Sequence, residues 1–113
     1  MIKVFGLSIV YAFLMSFVLQ FNVIHQFGAM GMVAGDATPL PSYTAFMVDY
    51  GNTFKYFKHG ALHGFITGLF LILPSVGVSS LYERKSLKYV LISGGYWAVS
   101  CAIMGGIICA MAK

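Results

Sequence analysis

The stretch from residue 89 to residue 111 reads YVLISGGYWAVSCAIMGGIICAM and contains no charged side chain. About 20 such residues in helical conformation cross the hydrocarbon core of a bilayer. Small residues recur in this stretch at intervals of four: Gly94, Ala98, Ala102, Gly106 and Ala110. Lipid gives helices no hydrophobic drive to associate, so small residues are where their backbones approach closely. We therefore predict a transmembrane helix that packs tightly against another helix.

Two further runs have the length and composition of membrane helices. Val4–Ile24 carries no charge, and His63 is the only histidine or charged residue within Gly60–Leu81. In the whole chain 59% of residues are hydrophobic and 9% are charged, whereas about 25% are charged in a typical soluble domain. A soluble chain of 113 residues could not bury so much apolar surface. We predict an all-α fold, a single integral membrane domain over residues 1–113 with three transmembrane helices in the lipid bilayer.

The first run has features of a cleaved signal peptide, with Lys3 before it and the small residues 33–35 beyond it. Its apolar stretch is longer than the 7–15 residues of a signal peptide, and the small residues lie far past its end. A membrane helix is therefore the preferred interpretation.

The segment between the first two runs changes character along its length. Residues 26–35 are rich in Gly, Ala and Met and are predicted to form an irregular loop. Ser42, after Pro39 and Pro41, is a candidate helix N-cap. From there an amphipathic helix lying in the membrane interface is predicted over residues 42–57. Its apolar face consists of Tyr43, Phe46, Met47, Tyr50, Phe54 and Phe57. The alternative is a structured loop whose aromatic residues anchor it at the interface.

The positive charges predict an orientation. The turn 82–88 contains Arg84, Lys85 and Lys88, the densest positive charge in the chain. The positive-inside rule places this loop in the cytoplasm, together with the N-terminus, and places the loop 25–59 and the C-terminal Lys113 outside. The net charge of +4 is distributed at the ends of apolar runs, whereas a nucleic-acid-binding surface needs a basic stripe on a folded face. Nucleic acid is therefore not a predicted partner.

The second run carries features that bear on its packing and its shape. Gly60, Gly64 and Gly68 form a doubled GxxxG pattern, which predicts close contact with a neighbour in the same chain or in another subunit. Pro74 removes a backbone donor and clashes with the carbonyl of Phe70, so a kink is predicted there.

The third run contains two cysteines and a tyrosine of interest. Cys101 and Cys109 lie about 12 Å apart along a helix, too far for a disulfide, and are predicted to face lipid or to pack. Tyr96 is predicted to face the bundle interior, because its hydroxyl needs a partner within lipid.

Three histidines are the only candidate metal ligands. His59 and His63 are four apart and lie on one side of a helix, and His25 follows the first run. The topology brings all three to the outer end of the bundle, near Gln20 and Asn22, at a spacing that zinc, copper or haem iron could use. The alternative is that they bond to loop carbonyls or face lipid headgroups, since no HExxH or CxxC motif accompanies them. Accordingly no cofactor, metal or catalytic residue is predicted.

Three segments resemble a known family: GALHGFITGLF (residues 60–70), LYERKSLKYVLISGGYW (81–97) and MGGIICA (104–110). They are similar to DUF1761, small bacterial membrane proteins of unknown function. The resemblance implies a bacterial cytoplasmic membrane and no established activity or catalytic residues. Family members usually have a fourth, N-terminal helix with no counterpart here, so this is either a short member or a segment of a longer parent.

Two functional hypotheses follow. The first is a non-enzymatic structural or accessory subunit that packs in a homo-oligomer or a larger membrane complex. The second is an oligomeric protein that transports a small molecule or binds a ligand or metal. The outer-face cluster that it would use consists of Gln20, Asn22, His25, His59 and His63.

Overall fold

The computed structural model describes residues 1–112, and 80% of it is helical with no strand in that range. The all-α prediction is confirmed. The helices are α1 (Ile2–Val23), α2 (Gln26–Met32), α3 (Pro41–Tyr50), α4 (Phe57–Thr67), α5 (Leu73–Tyr82) and α6 (Leu87–Met111), with a π-helical turn at Gly68–Ile72 between α4 and α5. Three helical stretches are long and apolar enough to cross a membrane: Ile2–Val23, Phe57–Tyr82 and Leu87–Met111. Lys113, which the orientation argument counts on the outer side, lies outside the described residues.

The closest packing in the bundle is between α4 and α6. A Cβ atom added to Gly60 would collide with the carbonyl of Gly105, and one added to Gly64 would collide with that of Cys101. A Cβ atom added to Gly68, at the start of the π-helical turn, would also collide with the backbone of α6, at Ala98. The GxxxG pattern therefore places one edge of the second membrane helix directly on the backbone of α6.

The face that α6 buries includes Gly94, Ala98 and Gly106 of the four-residue stripe but departs from it at Ala102 and Ala110. At about 3.6 residues per turn, positions spaced by four drift about 40° per step around a helix. Ala110 is consequently exposed and Ala102 is only partly buried. The buried positions follow the helical period instead: Val90, Gly94, Ala98, Cys101, Gly105, Gly106 and Cys109.

The structure tests the predictions made for three residues of α6. Cys101 and Cys109 are free and fully buried, so they pack within the bundle and do not face lipid. The prediction for Tyr96 was wrong, because its side chain is 64% exposed on the outer surface of the bundle. The backbone contact with α4 occupies the opposite side of α6 and leaves no room there for a ring.

A π-helical turn at Gly68–Ile72 directly precedes the segment in which the kink at Pro74 is predicted. The Leu73 N–H donates to the carbonyl of Gly68, one residue farther back than in an α-helix. Pro74 directly follows this turn, inside one helical stretch that runs from Phe57 to Tyr82. The second membrane helix therefore continues past Pro74 without ending.

The connection between α1 and α4 is more helical than predicted at one point and less at another. Residues 26–32 form α2 where an irregular loop was expected. The N-cap of α3 is Leu40, not Ser42, because Pro41 already has the backbone dihedral of a first helical residue. The helix ends at Tyr50 rather than at residue 57, and in the turn beyond it Phe54 adopts a left-handed conformation (φ 63°).

Gly64→Ala is expected to lower the free energy of unfolding in detergent by roughly 1–3 kcal/mol, the usual cost of overpacking. The added methyl group meets the backbone of Cys101, which cannot rotate away as a side chain can. Gly95→Ala is the matched control, because a methyl group there meets nothing within 4 Å and Ala is the better helix former. Circular dichroism measures both unfolding transitions. Equal stability of the two variants would contradict a backbone contact between α4 and α6.

Candidate metal centre

The three histidines of the chain converge at one end of the bundle. One ligand nitrogen from each of His25, His59 and His63 lies within 4.8 Å of the other two. The Nε2 atoms of His25 and His59 are 2.9 Å apart and share a hydrogen bond. Ring centroids are 5.0 Å apart for His25 and His59, 4.7 Å for His25 and His63, and 4.5 Å for His59 and His63. The cluster therefore joins two separate segments of the chain.

Local conformation places each ring. His59 and His63 lie one turn apart on the same side of α4. After α1 ends, Ile24 adopts an extended conformation, and the next residue, His25, is the N-cap of α2. The corner is fixed to the bundle because the Cys109 thiol donates to the carbonyl of Val23 (3.2 Å) and both residues are buried. His25 is thereby held opposite α4.

Aromatic rings enclose part of the cluster. Phe54 stacks on His59, with ring centroids 4.5 Å apart and an interplanar angle of 15°. It also meets His25 edge to face at 6.3 Å, and Tyr56 contacts His59 at 5.9 Å. A positive φ is uncommon for a bulky residue such as Phe54 and costs free energy. The surrounding contacts maintain a strained turn that carries this ring onto the imidazoles.

Gln26 fixes that turn. Its side-chain amide nitrogen donates to the carbonyls of Tyr50 (2.6 Å) and Thr53 (2.9 Å). The Tyr50 carbonyl, in the last residue of α3, also accepts from the N–H of Thr53 (3.1 Å), which lies in the turn that follows. Gln26 is only 4% exposed, so a buried polar side chain defines both the end of α3 and the position of Phe54.

The other polar residues named from the sequence do not join the cluster. The amide of Gln20 donates to the carbonyl of Phe17 in its own helix. Asn22 lines a different cavity, between α1 and the second membrane helix. Asp36 accepts a hydrogen bond from the backbone of Thr38 (3.0 Å). Within residues 1–112 the group of potential ligands is three imidazoles without a carboxylate.

Three imidazoles at these distances fit a metal ion. A zinc-to-nitrogen bond is about 2.0–2.1 Å, so two nitrogens on a tetrahedral ion are separated by about 3.3 Å. The 2.9 Å separation of His25 and His59 is close to that value, and small side-chain rotations would bring in His63. The His25–His59 contact is the only hydrogen bond that the three rings make within the described chain. An ion bound there would replace this hydrogen bond, since both Nε2 atoms would become ligands.

One protein family matches the chain. The family model of DUF1761, whose description is "Protein of unknown function", matches residues 1–109, and the resemblance drawn from the sequence is confirmed. No curated protein and no solved structure matches the chain.

Gln26→Leu is expected to leave the carbonyl of Thr53 without its side-chain donor and the carbonyl of Tyr50 with only the Thr53 N–H, at a cost of roughly 1–3 kcal/mol. Amide hydrogen exchange over residues 50–56 should accelerate, because the turn that presents Phe54 opens more often. Gln20→Leu is the control, since that amide bonds only within its own helix. If exchange in the turn were equally slow in both variants, Gln26 would not be what holds it.

Proposed function

The chain belongs to the DUF1761 family, and we propose that it is a membrane protein that binds a transition-metal ion through His25, His59 and His63. The observation that carries the proposal is the convergence of three ligand nitrogens within 4.8 Å. Histidines that only face headgroups have no reason to point at one another. The role is binding rather than catalysis, and it develops the second of the two hypotheses drawn from the sequence.

The donor set narrows the class of metal. Imidazole suits zinc, copper, nickel and iron, whereas calcium and magnesium require oxygen ligands. Three neutral imidazoles leave the double charge of the ion intact and leave a fourth tetrahedral position for a water molecule or another ligand. His25 is exposed and the other two histidines are half-buried, so an ion can reach the site from the aqueous side.

The distribution of charge supports one orientation. Arg84, Lys85 and Lys88 lie in the loop at the opposite end of the second membrane helix from His59. With loop 82–88 in the cytoplasm, the loop 25–59 and the metal centre face outward. In the bacterial cytoplasmic membrane that the family resemblance implies, the ion would come from the outer compartment.

A wild-type preparation with a histidine-free affinity tag is expected to bind about one Co²⁺ or Zn²⁺ per chain. Replacing both His59 and His63 by Ala should weaken binding by more than about 100-fold, the upper end of what a lost outer-shell contact costs. Asn22→Ala is the control, because Asn22 lies at the same end of α1 but outside the cluster. Metal content and isothermal titration measure the effect. Equal cobalt binding by the double variant and wild type would contradict the proposal.

A groove between α5 and α6 favours the accessory or homo-oligomeric role as a second property. Ser79, Ser93 and Trp97 are among its lining residues, and their side chains make no hydrogen bond within residues 1–112. The hydroxyl of Ser75, which also lines the groove, donates to a carbonyl of its own helix, as the hydroxyl of Ser8 does in α1 outside the groove. Polar groups without partners are costly beside lipid. A helix from another copy or another membrane subunit covering this groove would supply the partners.

Ser79→Ala combined with Ser93→Ala is expected to weaken self-association in detergent about threefold, as hydrogen bonds between membrane helices contribute little. Ser8→Ala is the control, because that hydroxyl is bonded within α1. Native mass spectrometry over a dilution series gives the monomer fraction. A protein that is monomeric throughout the series, without a co-purifying membrane subunit, would remove this second property and leave the metal centre untouched.

A further inference from the structure

A cavity lies beside the three histidines, separate from the one that Asn22 lines. It is open, measures about 320 Å³, and is lined by His25, Gln26, Phe46, Tyr50, Thr53 and Phe54. Two of these residues connect it to the metal centre: His25 is one of the ligands, and Phe54 stacks on His59. The cavity and the centre therefore share a wall.

We propose that a metal ion held by the three histidines carries, in its remaining position, a small aromatic molecule whose ring occupies this cavity. The ligand would have one donor atom for the metal and an apolar body. This inference rests on the proposed metal-binding function, and it adds the chemical class of the ligand.

The lining of the cavity excludes a polar body for the ligand. The rings of Phe46, Tyr50 and Phe54 form its walls. The amide nitrogen of Gln26 is already bonded to two backbone carbonyls, and no charged residue is among the lining residues. A charged or strongly hydrated group would lose its water here without gaining a partner.

Size and shape favour an aromatic ring over a lipid chain. The volume is at the lower end of the range for small-molecule sites, about 300–1,000 Å³. Phe46 and Tyr50 contact each other with centroids 5.4 Å apart and rings tilted by 43°. Rings prefer such tilted or edge-on neighbours, so a planar ligand can add a further contact of the same kind. An acyl chain has no comparable preference.

The metal supplies the polar contact that the cavity lacks. Three imidazoles on a tetrahedral ion leave one position open, and His25 borders the cavity directly. A ligand that coordinates the ion and also fills the cavity gains from both contacts. The same ring without a donor atom would gain only the apolar one.

The test compares imidazole with 4-phenylimidazole on the cobalt-loaded full chain in detergent. Both probes coordinate through the same type of nitrogen, and the visible absorption bands of cobalt report that coordination. Because the phenyl ring leaves water for the cavity, 4-phenylimidazole is expected to bind about tenfold more tightly.

Two variants test whether this cavity causes the preference for 4-phenylimidazole over imidazole. Phe46→Ala removes a wall of the cavity but no contact with a histidine ring, and its side chain is already 40% exposed. It should keep cobalt and reduce the preference for 4-phenylimidazole to about one. Val48→Ala is the matched control on the same helix, since Val48 is 79% exposed and does not line the cavity. Partition of the probe into detergent affects both variants equally.

Four other results would each contradict one element of the proposal: the aromatic ligand, its place in the cavity, its link to the metal, or the metal itself. Equal affinities for the two probes in wild type would overturn the aromatic ligand and leave the metal centre standing. An unchanged preference in Phe46→Ala would show that the ring binds elsewhere. Tight binding of 4-phenylimidazole without cobalt would detach the cavity from the metal. Failure of cobalt to bind would overturn the inference together with the proposed function.

Discussion

The direct contact of the α4 and α6 backbones is the constraint on which the rest of the bundle depends. Between helices in lipid there is no hydrophobic drive, and association relies on van der Waals contact and hydrogen bonding. Gly60, Gly64 and Gly68 remove the side chains that would hold the two helices apart. We call this contact between the two backbones the seam. Because the helices are so close there, the side chains beside the seam have little choice of orientation. Leu73 packs against Gly94, and Phe57 packs against Gly106.

That seam also determines where the histidines lie. Its outermost contact, between Gly60 and Gly105, directly follows His59 in the chain, so the start of α4 is fixed relative to the end of α6. Cys109 then connects the end of α6 to Val23 in α1, immediately before the corner that carries His25. A short path of buried contacts therefore links the packing of the helices to the geometry of the three imidazoles. A substitution that alters the packing of α4 against α6 should therefore alter the geometry of the three imidazoles.

The sequence predicted those features that follow from composition and from local spacing. Three apolar runs, the GxxxG edge and the i, i+4 pair His59 and His63 all depend on residues close together in the chain. It could not predict that Gln26 would end α3, because that bond joins residues 24 positions or more apart. The left-handed conformation of Phe54 was equally hidden, since no glycine or asparagine marks that position. The stripe on α6 coincides only in part with the face that α4 contacts, because a strict spacing of four drifts around the helix: Gly94, Ala98 and Gly106 are buried, whereas Ala110 is exposed.

The helix ends alone do not select a cation where the histidines converge. The C-terminal ends of α1 and α6 lie at this end of the bundle, and so do the N-terminal ends of α4 and of α2, whose N-cap is His25. A helix end carries about half a charge, negative at the C-terminus and positive at the N-terminus, so the two pairs of ends largely cancel. Lys55 and Lys58 add positive charge close to His59 in the chain. Binding of a cation at the proposed centre therefore depends on the imidazoles as ligands, and an imidazole coordinates a metal only in its neutral form.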